Sequence, residues 1–99
     1  MSFSTDEILS TVARELRLSE DEVLREGLRT RLERQIRTIS AEVLEIHGRY
    51  GVTSVEEMED RYRDGSIEEA TSWRDLQRLD RLEYRRTRLL TLLESMPCE

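Results

Sequence analysis

A run of apolar residues between Leu28 and Tyr50 constrains this chain more than any other feature. Six of them, named here the first stripe, follow one another at steps of four and three: Leu32, Ile36, Ile39, Val43, Ile46 and Tyr50. Such steps place all six side chains along one side of an α-helix, as in helices that pack lengthwise against another helix. No glycine or proline interrupts the stretch before Gly48, so it predicts one long helix with a lengthwise partner.

A second stripe near the end of the chain supplies that partner. Its members follow a similar rhythm: Leu79, Leu82, Arg86, Leu89, Leu93 and Met96. Folding the second stripe back on the first places Val43 opposite Leu79 and Leu28 opposite Leu93. We therefore predict an all-α fold, a long antiparallel coiled-coil helical hairpin with short packing helices at both ends. Arg86, the one charged member, either fixes the register of the two helices or extends its long side chain to solvent.

Local signals complete the helices of a single predicted domain that covers residues 1–99. Three serine–glutamate pairs have the spacing of capping boxes: Ser4 with Glu7, Ser19 with Glu22, and Ser54 with Glu57. In a capping box, each side chain accepts a hydrogen bond from the backbone N–H of the other residue. The predicted helices are approximately residues 5–16, 19–48, 54–64 and 72–95.

Two further residues carry packing predictions. We expect Trp73 to be buried with Tyr50 or Tyr62, at the end of the hairpin where the connecting segment folds over it. Gly27 lies inside the predicted long helix, where glycine costs about 1 kcal/mol relative to alanine. We expect Gly27 to let a neighbouring helix approach closely.

Composition narrows the functional classes. Charged residues make up 38% of the chain and hydrophobic residues 36%, which is typical of solvated helices with narrow apolar stripes. Disorder is the competing interpretation of so much charge, but the regular apolar spacing favours a fold. The net charge of −6 argues against a protein that coats nucleic acid. Because no apolar run suits a membrane span or a signal peptide, we expect a cytoplasmic protein without membrane contact.

Residues for catalysis or cofactor binding are scarce. His47 is the only histidine, and no acidic residue shares its side of the predicted helix. Cys98 is the only cysteine, so we expect no disulfide within the chain and no cysteine metal site. We therefore predict that the protein is not an enzyme and has no cofactor and no metal site. His47 is interpreted as a space-filling residue at a helix end.

Charge is distributed unevenly and indicates two candidate partner-binding groups. The arginine stripe comprises Arg74, Arg78, Arg81, Arg85 and Arg88, again at steps of four and three. The acidic segment comprises Glu56, Glu57, Glu59, Asp60, Glu68 and Glu69. A basic middle between acidic ends is typical of protein–protein recognition. The arginines either pair along the hairpin with acids such as Glu42, Glu45 and Glu83, or face RNA, DNA or an acidic protein; we expect the pairing.

Residues 5–34 contain a pair of predicted helices with a characteristic order of residues: a first amphipathic helix, the cap Ser19, the apolar pair Val23 and Leu24, the small residue Gly27, then Leu28. In this order the stretch resembles the helix pair of ribbon-helix-helix proteins. That family includes many antitoxins of bacterial and archaeal toxin–antitoxin operons, whose C-terminal part wraps a toxin. We expect no counterpart of the family's DNA-reading strand, because only residues 1–4 precede the predicted first helix and none of them is basic.

The resemblance implies an antitoxin-like protein that binds and neutralises a partner toxin. We expect this function, in a non-catalytic interaction module whose acidic segment contacts a basic toxin. One alternative is a nucleic-acid-binding or transcription-regulating dimer that uses the arginine stripe. The other is a self-assembling coiled-coil structural protein. A protein partner, either a toxin or a second copy of the chain, is thus favoured over DNA.

Overall fold

The computed structural model describes residues 2–97, which contain four α-helices and no strand. Helix α1 covers Thr5–Leu16, α2 covers Glu20–Tyr50, α3 covers Val55–Arg63 and α4 covers Glu69–Glu94. Helices α2 and α4 pack along each other, while α1 packs on α2 and α3 packs on α4. The predicted all-α helical hairpin is thereby confirmed.

Two long-range contacts show that α2 and α4 run antiparallel. Near the connection between them, Arg49 Nη1 donates to Asp75 Oδ2 at 2.8 Å. At the far end, Arg29 Nη2 donates to the carbonyl oxygen of Pro97 at 3.2 Å. Residue numbers therefore fall along α2 as they rise along α4. The end that carries α3 is named the closed end, and the end that carries α1 is named the open end.

The buried core lies at the closed end. It is formed by α2, α3, α4 and the segment between α2 and α3, through Ile39, Val43, Ile46, Val52, Val55, Met58 and Leu79. Because α3 packs here as a third helix, the first stripe is enclosed on more than one side, and Val43 and Ile46 are completely buried. Each such side chain contributes about 1.5–3 kcal/mol before the loss of chain entropy is subtracted.

The open end lacks a comparable core. Ala13 is the one buried residue of α1. Leu28, which continues the first stripe, is 58% exposed, and Leu24, one turn before it, is 51% exposed. Two helices side by side cover each other's stripe from one direction only. Helix α1 packs on α2 at this end but leaves Leu24 and Leu28 exposed. Helix α3, in contrast, adds Val55 and Met58 to the closed-end core.

The dimensions of the molecule reflect this thin open end. Its principal extents are 61 × 34 × 16 Å and its Cα radius of gyration is 20.0 Å, whereas about 13 Å is typical of a compact 100-residue domain. The chain exposes 7578 Å², about 1700 Å² more than the roughly 5900 Å² expected for a compact monomer of 11.8 kDa. The hairpin thus leaves far more surface uncovered than a compact domain does.

Serine caps begin three of the helices, with one change from the prediction. Full capping boxes are present at Ser4 and Ser19. Ser54 Oγ accepts from the backbone N–H of Glu57 at 3.0 Å, but the Glu57 carboxylate accepts from the backbone N–H of Thr53. The backbone explains the difference, because φ is −162° at Ser54 and −71° at Ser4. That rotation turns the Ser54 N–H away from the carboxylate.

Two helix boundaries differ from the predicted ones by two or three residues. Helix α2 continues through Gly48 to Tyr50 and ends at Gly51, whose φ of +63° is left-handed. Glycine adopts that conformation without the strain that a Cβ would cause, and it commonly ends helices. Helix α4 begins at Glu69 and not at residue 72.

The predicted burial of Trp73 is wrong. Its side chain is 42% exposed, and the Arg74 guanidinium lies 5.4 Å from the ring centroid. Because α4 is already helical from Glu69, Ser72 occupies the inward side of the helix, and the next position is turned about 100° away from it. Tyr50 and Tyr62 pack against the core without the tryptophan.

Candidate protein-interaction surface

The acidic segment lies at the closed end, on α3 and at the N-terminus of α4. Four of its side chains are exposed and form no ion pair within residues 2–97: Glu56, Glu59, Glu68 and Glu69. The other two interact locally, since Glu57 accepts from Thr53 Oγ1 at 2.6 Å and Asp60 Oδ1 lies 2.6 Å from Arg63 Nη1. Four carboxylates of this segment therefore face solvent, where a basic partner can reach them.

Glu57 has a structural role. Hydrogen bonds from the side chain and backbone N–H of Thr53 lower the pKa of its carboxyl group, so it is ionised at neutral pH. Arg61 Nη2 lies 3.4 Å from Glu57 Oε1 and donates to the carbonyl oxygen of Gly51 at 2.8 Å. These contacts fasten the start of α3 to the end of α2.

The first two members of the arginine stripe contact groups within the chain. The Arg74 guanidinium lies over the Trp73 ring, as described above. Arg78 Nη2 lies 3.4 Å from Glu42 Oε2, across the hairpin. The predicted pairing of the arginine stripe with acids along the hairpin is therefore confirmed for Arg78.

The other two acids expected to pair with the arginine stripe have different partners. Glu45 Oε1 lies 2.8 Å from Arg49 Nη2, one turn along α2. Glu83 Oε1 lies 3.2 Å from Nε2 of His47. His47 is thus more than a space-filling residue, because the hairpin brings it a carboxylate from 36 positions away in the chain. The pairing prediction is wrong for Arg74, which contacts Trp73 and no acid among the described residues, and for three further members of the stripe: Arg81, Arg85 and Arg88.

These three arginines line a groove of about 410 Å³ on α4. Its lining, named here the α4 groove, consists of Arg81, Tyr84, Arg85, Arg88, Leu89 and Leu92. Tyr84 and Leu92 are more than half exposed. In the part of the chain that the structure describes, none of the three arginines forms an ion pair. The sequence does contain a signal for this groove, because Tyr84, Arg88 and Leu92 recur at steps of four.

A second groove, of about 430 Å³, lies at the open end between α1 and α2. It is lined by Leu16, Val23, Glu26, Gly27, Thr30, Arg31 and Arg34. A Cβ added to Gly27 would meet no atom within 4 Å, so the prediction that a helix packs closely against Gly27 is wrong. We use the name open-end surface for this groove and the neighbouring exposed side chains of Leu24 and Leu28.

A polar cluster at the closed end joins α2 to α4. The Tyr50 hydroxyl donates to Asp75 Oδ2, which also accepts from Arg49 Nη1 at 2.8 Å. The bond from Tyr50, with that from Arg49, holds the pKa of the Asp75 carboxyl below its usual value. The same bond to Asp75 raises the pKa of the Tyr50 hydroxyl. Because every contact links one helix of the hairpin to the other, we assign this cluster to stability.

Two further searches of residues 2–97 gave negative results. No three His, Cys, Asp or Glu side chains lie close enough together to hold a metal ion. None of the helices combines the length and the apolar character that crossing a membrane requires. Cys98, the single cysteine, lies outside the described residues.

The chain was compared with protein families, curated proteins and solved structures. The model of a family described as "Uncharacterized protein MJ0235 family" matches residues 1–99. No curated protein and no solved structure matches the chain.

Proposed function

The chain belongs to the MJ0235 family, and we propose that it is a non-catalytic, cytoplasmic protein-interaction module whose open end docks a protein partner. The observation that carries this proposal is the contrast between the two ends of one helix pair. Along α2, Val43 is completely buried, whereas Leu28, about four turns away, is 58% exposed. Leucines that continue a packing stripe but remain in contact with water raise the free energy of the folded chain unless another surface covers them.

The amount of uncovered surface suits a protein partner better than a small ligand. The chain exposes about 1700 Å² more than a compact monomer of its mass. A standard protein–protein interface buries about 800 Å² on each partner, and permanent interfaces bury more. A partner that covered the excess would therefore bury an area in the range of specific protein–protein interfaces.

We favour an antitoxin-like role, in which the partner is a toxin. The resemblance of residues 5–34 to the helix pair of ribbon-helix-helix proteins implies it, and α1 with the start of α2 supplies two capped helices in that order. The long, thin hairpin offers helical surface for contact along much of its 61 Å. The exposed carboxylates of the acidic segment suit a basic toxin.

Each alternative function has an observation in its favour. Three arginines of the α4 groove without ion pairs among the described residues favour a nucleic-acid-binding dimer, although the net charge of −6 opposes it. The uncovered area equally favours self-assembly, in which a second copy covers the open end. The experiment below separates these alternatives.

Purification of the tagged full chain from its native host tests the proposal. We expect a second protein to co-purify at a fixed ratio with the wild type. Leu24→Glu/Leu28→Glu should release it, because a carboxylate cannot be buried there without a partner. The matched control is Leu44→Glu, which replaces a leucine of α2 that is 66% exposed outside the open-end surface. This control should keep the partner, and circular dichroism should show that both variants are helical.

Three outcomes would go against the proposal or redirect it. Retention of the partner by the double variant would contradict docking at the open-end surface, as would a wild-type chain that purifies alone as a monomer. A sedimentation mass of two chains that is lost in the double variant would favour self-assembly. Tight DNA binding with a steep salt dependence would favour the nucleic-acid alternative.

A further inference from the structure

The α4 groove differs in character from the open-end surface and points to a particular kind of ligand. Its rim carries three guanidinium groups, those of Arg81, Arg85 and Arg88, and its apolar part is formed by Tyr84, Leu89 and Leu92. Building on the proposed interaction function, we propose that this groove binds an acidic amphipathic helix of a protein partner.

Charge is the first argument. Arg81, Arg85 and Arg88 recur at steps of four and three, so their guanidinium groups lie along one side of α4. Glu83, an acid of the same helix, is engaged with His47 on a different side. Three neighbouring cations that lack ion pairs among the described residues repel one another, and anionic groups placed beside them relieve that repulsion.

The apolar part of the groove favours a helix over a nucleic acid. Phosphates would satisfy the arginines but would leave Leu89 and Leu92 in contact with water. An amphipathic helix covers such leucines with its own apolar side and places acidic residues at the rim. One ligand then contacts both the arginine rim and the apolar part of the groove.

The length of the groove sets the length of that ligand. From Arg81 to Leu92 the groove extends for about 17 Å along α4, at about 1.5 Å per residue. A docked helix of about three turns spans this distance, with anchor residues at steps of three and four. The acidic helix therefore needs two or three apolar anchors flanked by carboxylates.

Fluorescence anisotropy with a synthetic peptide tests the proposal. The probe is a labelled helix of about four turns, with leucines along one side and glutamates beside them. The full-length wild type should bind it, and binding should weaken as salt is added. Arg81→Gln/Arg85→Gln/Arg88→Gln should weaken binding by about tenfold or more, because three exposed ion pairs are lost together. Leu92→Ser should also weaken binding, because part of the apolar surface is lost.

A matched control removes the same charge elsewhere. Arg14→Gln/Arg37→Gln/Arg63→Gln changes three exposed arginines outside the α4 groove and should bind the peptide like the wild type. A peptide with glutamine at every glutamate position should bind poorly. Equal affinity of the groove variant and the wild type would overturn the proposal. Tighter binding of a single-stranded thymidine oligonucleotide than of the acidic peptide would overturn it as well.

The proposal for the α4 groove and the proposal for the open-end surface can be refuted independently. If the groove variant keeps peptide binding while Leu24→Glu/Leu28→Glu releases the host partner, the proposed function stands and the groove assignment fails. If the groove variant loses the peptide while Leu24→Glu/Leu28→Glu keeps the host partner, the groove assignment stands and docking at the open end fails.

Discussion

Truncation of one leucine at each end of the hairpin tests where its stability resides. Leu79 is completely buried in the closed-end core, whereas Leu28 is 58% exposed. Leu79→Ala removes buried methyl groups and leaves a cavity, so it should lower the free energy of unfolding by about 2–5 kcal/mol. Full burial of a leucine is worth about 1.5–3 kcal/mol, and less than half of Leu28 is covered. Leu28→Ala should therefore cost about 1 kcal/mol or less.

Urea unfolding followed by far-UV circular dichroism measures both values. The protein is kept at a concentration at which sedimentation shows a monomer, so that association does not contribute. The slope of the free energy of unfolding against urea concentration should be alike in the two variants. The urea concentration at the midpoint of unfolding should fall much further for Leu79→Ala than for Leu28→Ala. If Leu28→Ala lowers the free energy of unfolding as much as Leu79→Ala does, the reasoning is refuted, because the open end would then be packed in the isolated chain.

Three further changes test individual features of the hairpin. Arg86→Leu should raise the free energy of unfolding by about 1 kcal/mol, because an apolar side chain replaces a half-buried charge in the second stripe. If urea titration gives a lower free energy of unfolding for the variant, the guanidinium group of Arg86 stabilises the fold. Gly27→Ala should stabilise α2 by about 0.5–1 kcal/mol in thermal unfolding, since the added Cβ has free space; destabilisation would contradict this. The lowered pKa of Asp75 makes its ionised form stabilising, so that contribution should persist at neutral pH and disappear as the pH falls below about 3.9. In urea unfolding, acidification should lower the free energy of unfolding less for Asp75→Asn than for the wild type. An equal decrease in both proteins would show that the polar cluster does not contribute to the pH dependence of stability.

The hairpin could be predicted from the sequence because the spacing of apolar residues is a property of each helix alone. Steps of four and three predicted α2 and the second stripe of α4, and the serine pairs predicted where α1 and α2 begin. The start of α4 was missed because Glu68, its N-cap, makes no side-chain capping bond that could mark it. The error at Trp73 follows from that missed start. The end of α2 depended on tertiary packing, since Val52, just after Gly51, is buried in the core.

The candidate surfaces were predictable only in part, because contacts between helices depend on how each is rotated about its axis. Spacing along α4 placed Arg78 and Glu83 in the same region of the hairpin but could not assign their partners. In the structure Arg78 contacts Glu42, whereas Glu83 contacts His47. The α4 groove was missed because Leu89 was assigned to the second stripe alone, although it also borders the exposed side of α4.

Hydrogen–deuterium exchange along α2 tests the central claim most directly, on the full chain alone and in complex with its co-purified partner. In the isolated chain, backbone amides of residues 20–32 should exchange faster than those of residues 39–50, because only the latter belong to the buried core. Binding of the partner should slow exchange in residues 20–32 and leave residues 39–50 unchanged. Equal protection along the whole of α2 in the isolated chain, or protection by the partner confined to residues 39–50, would contradict the account.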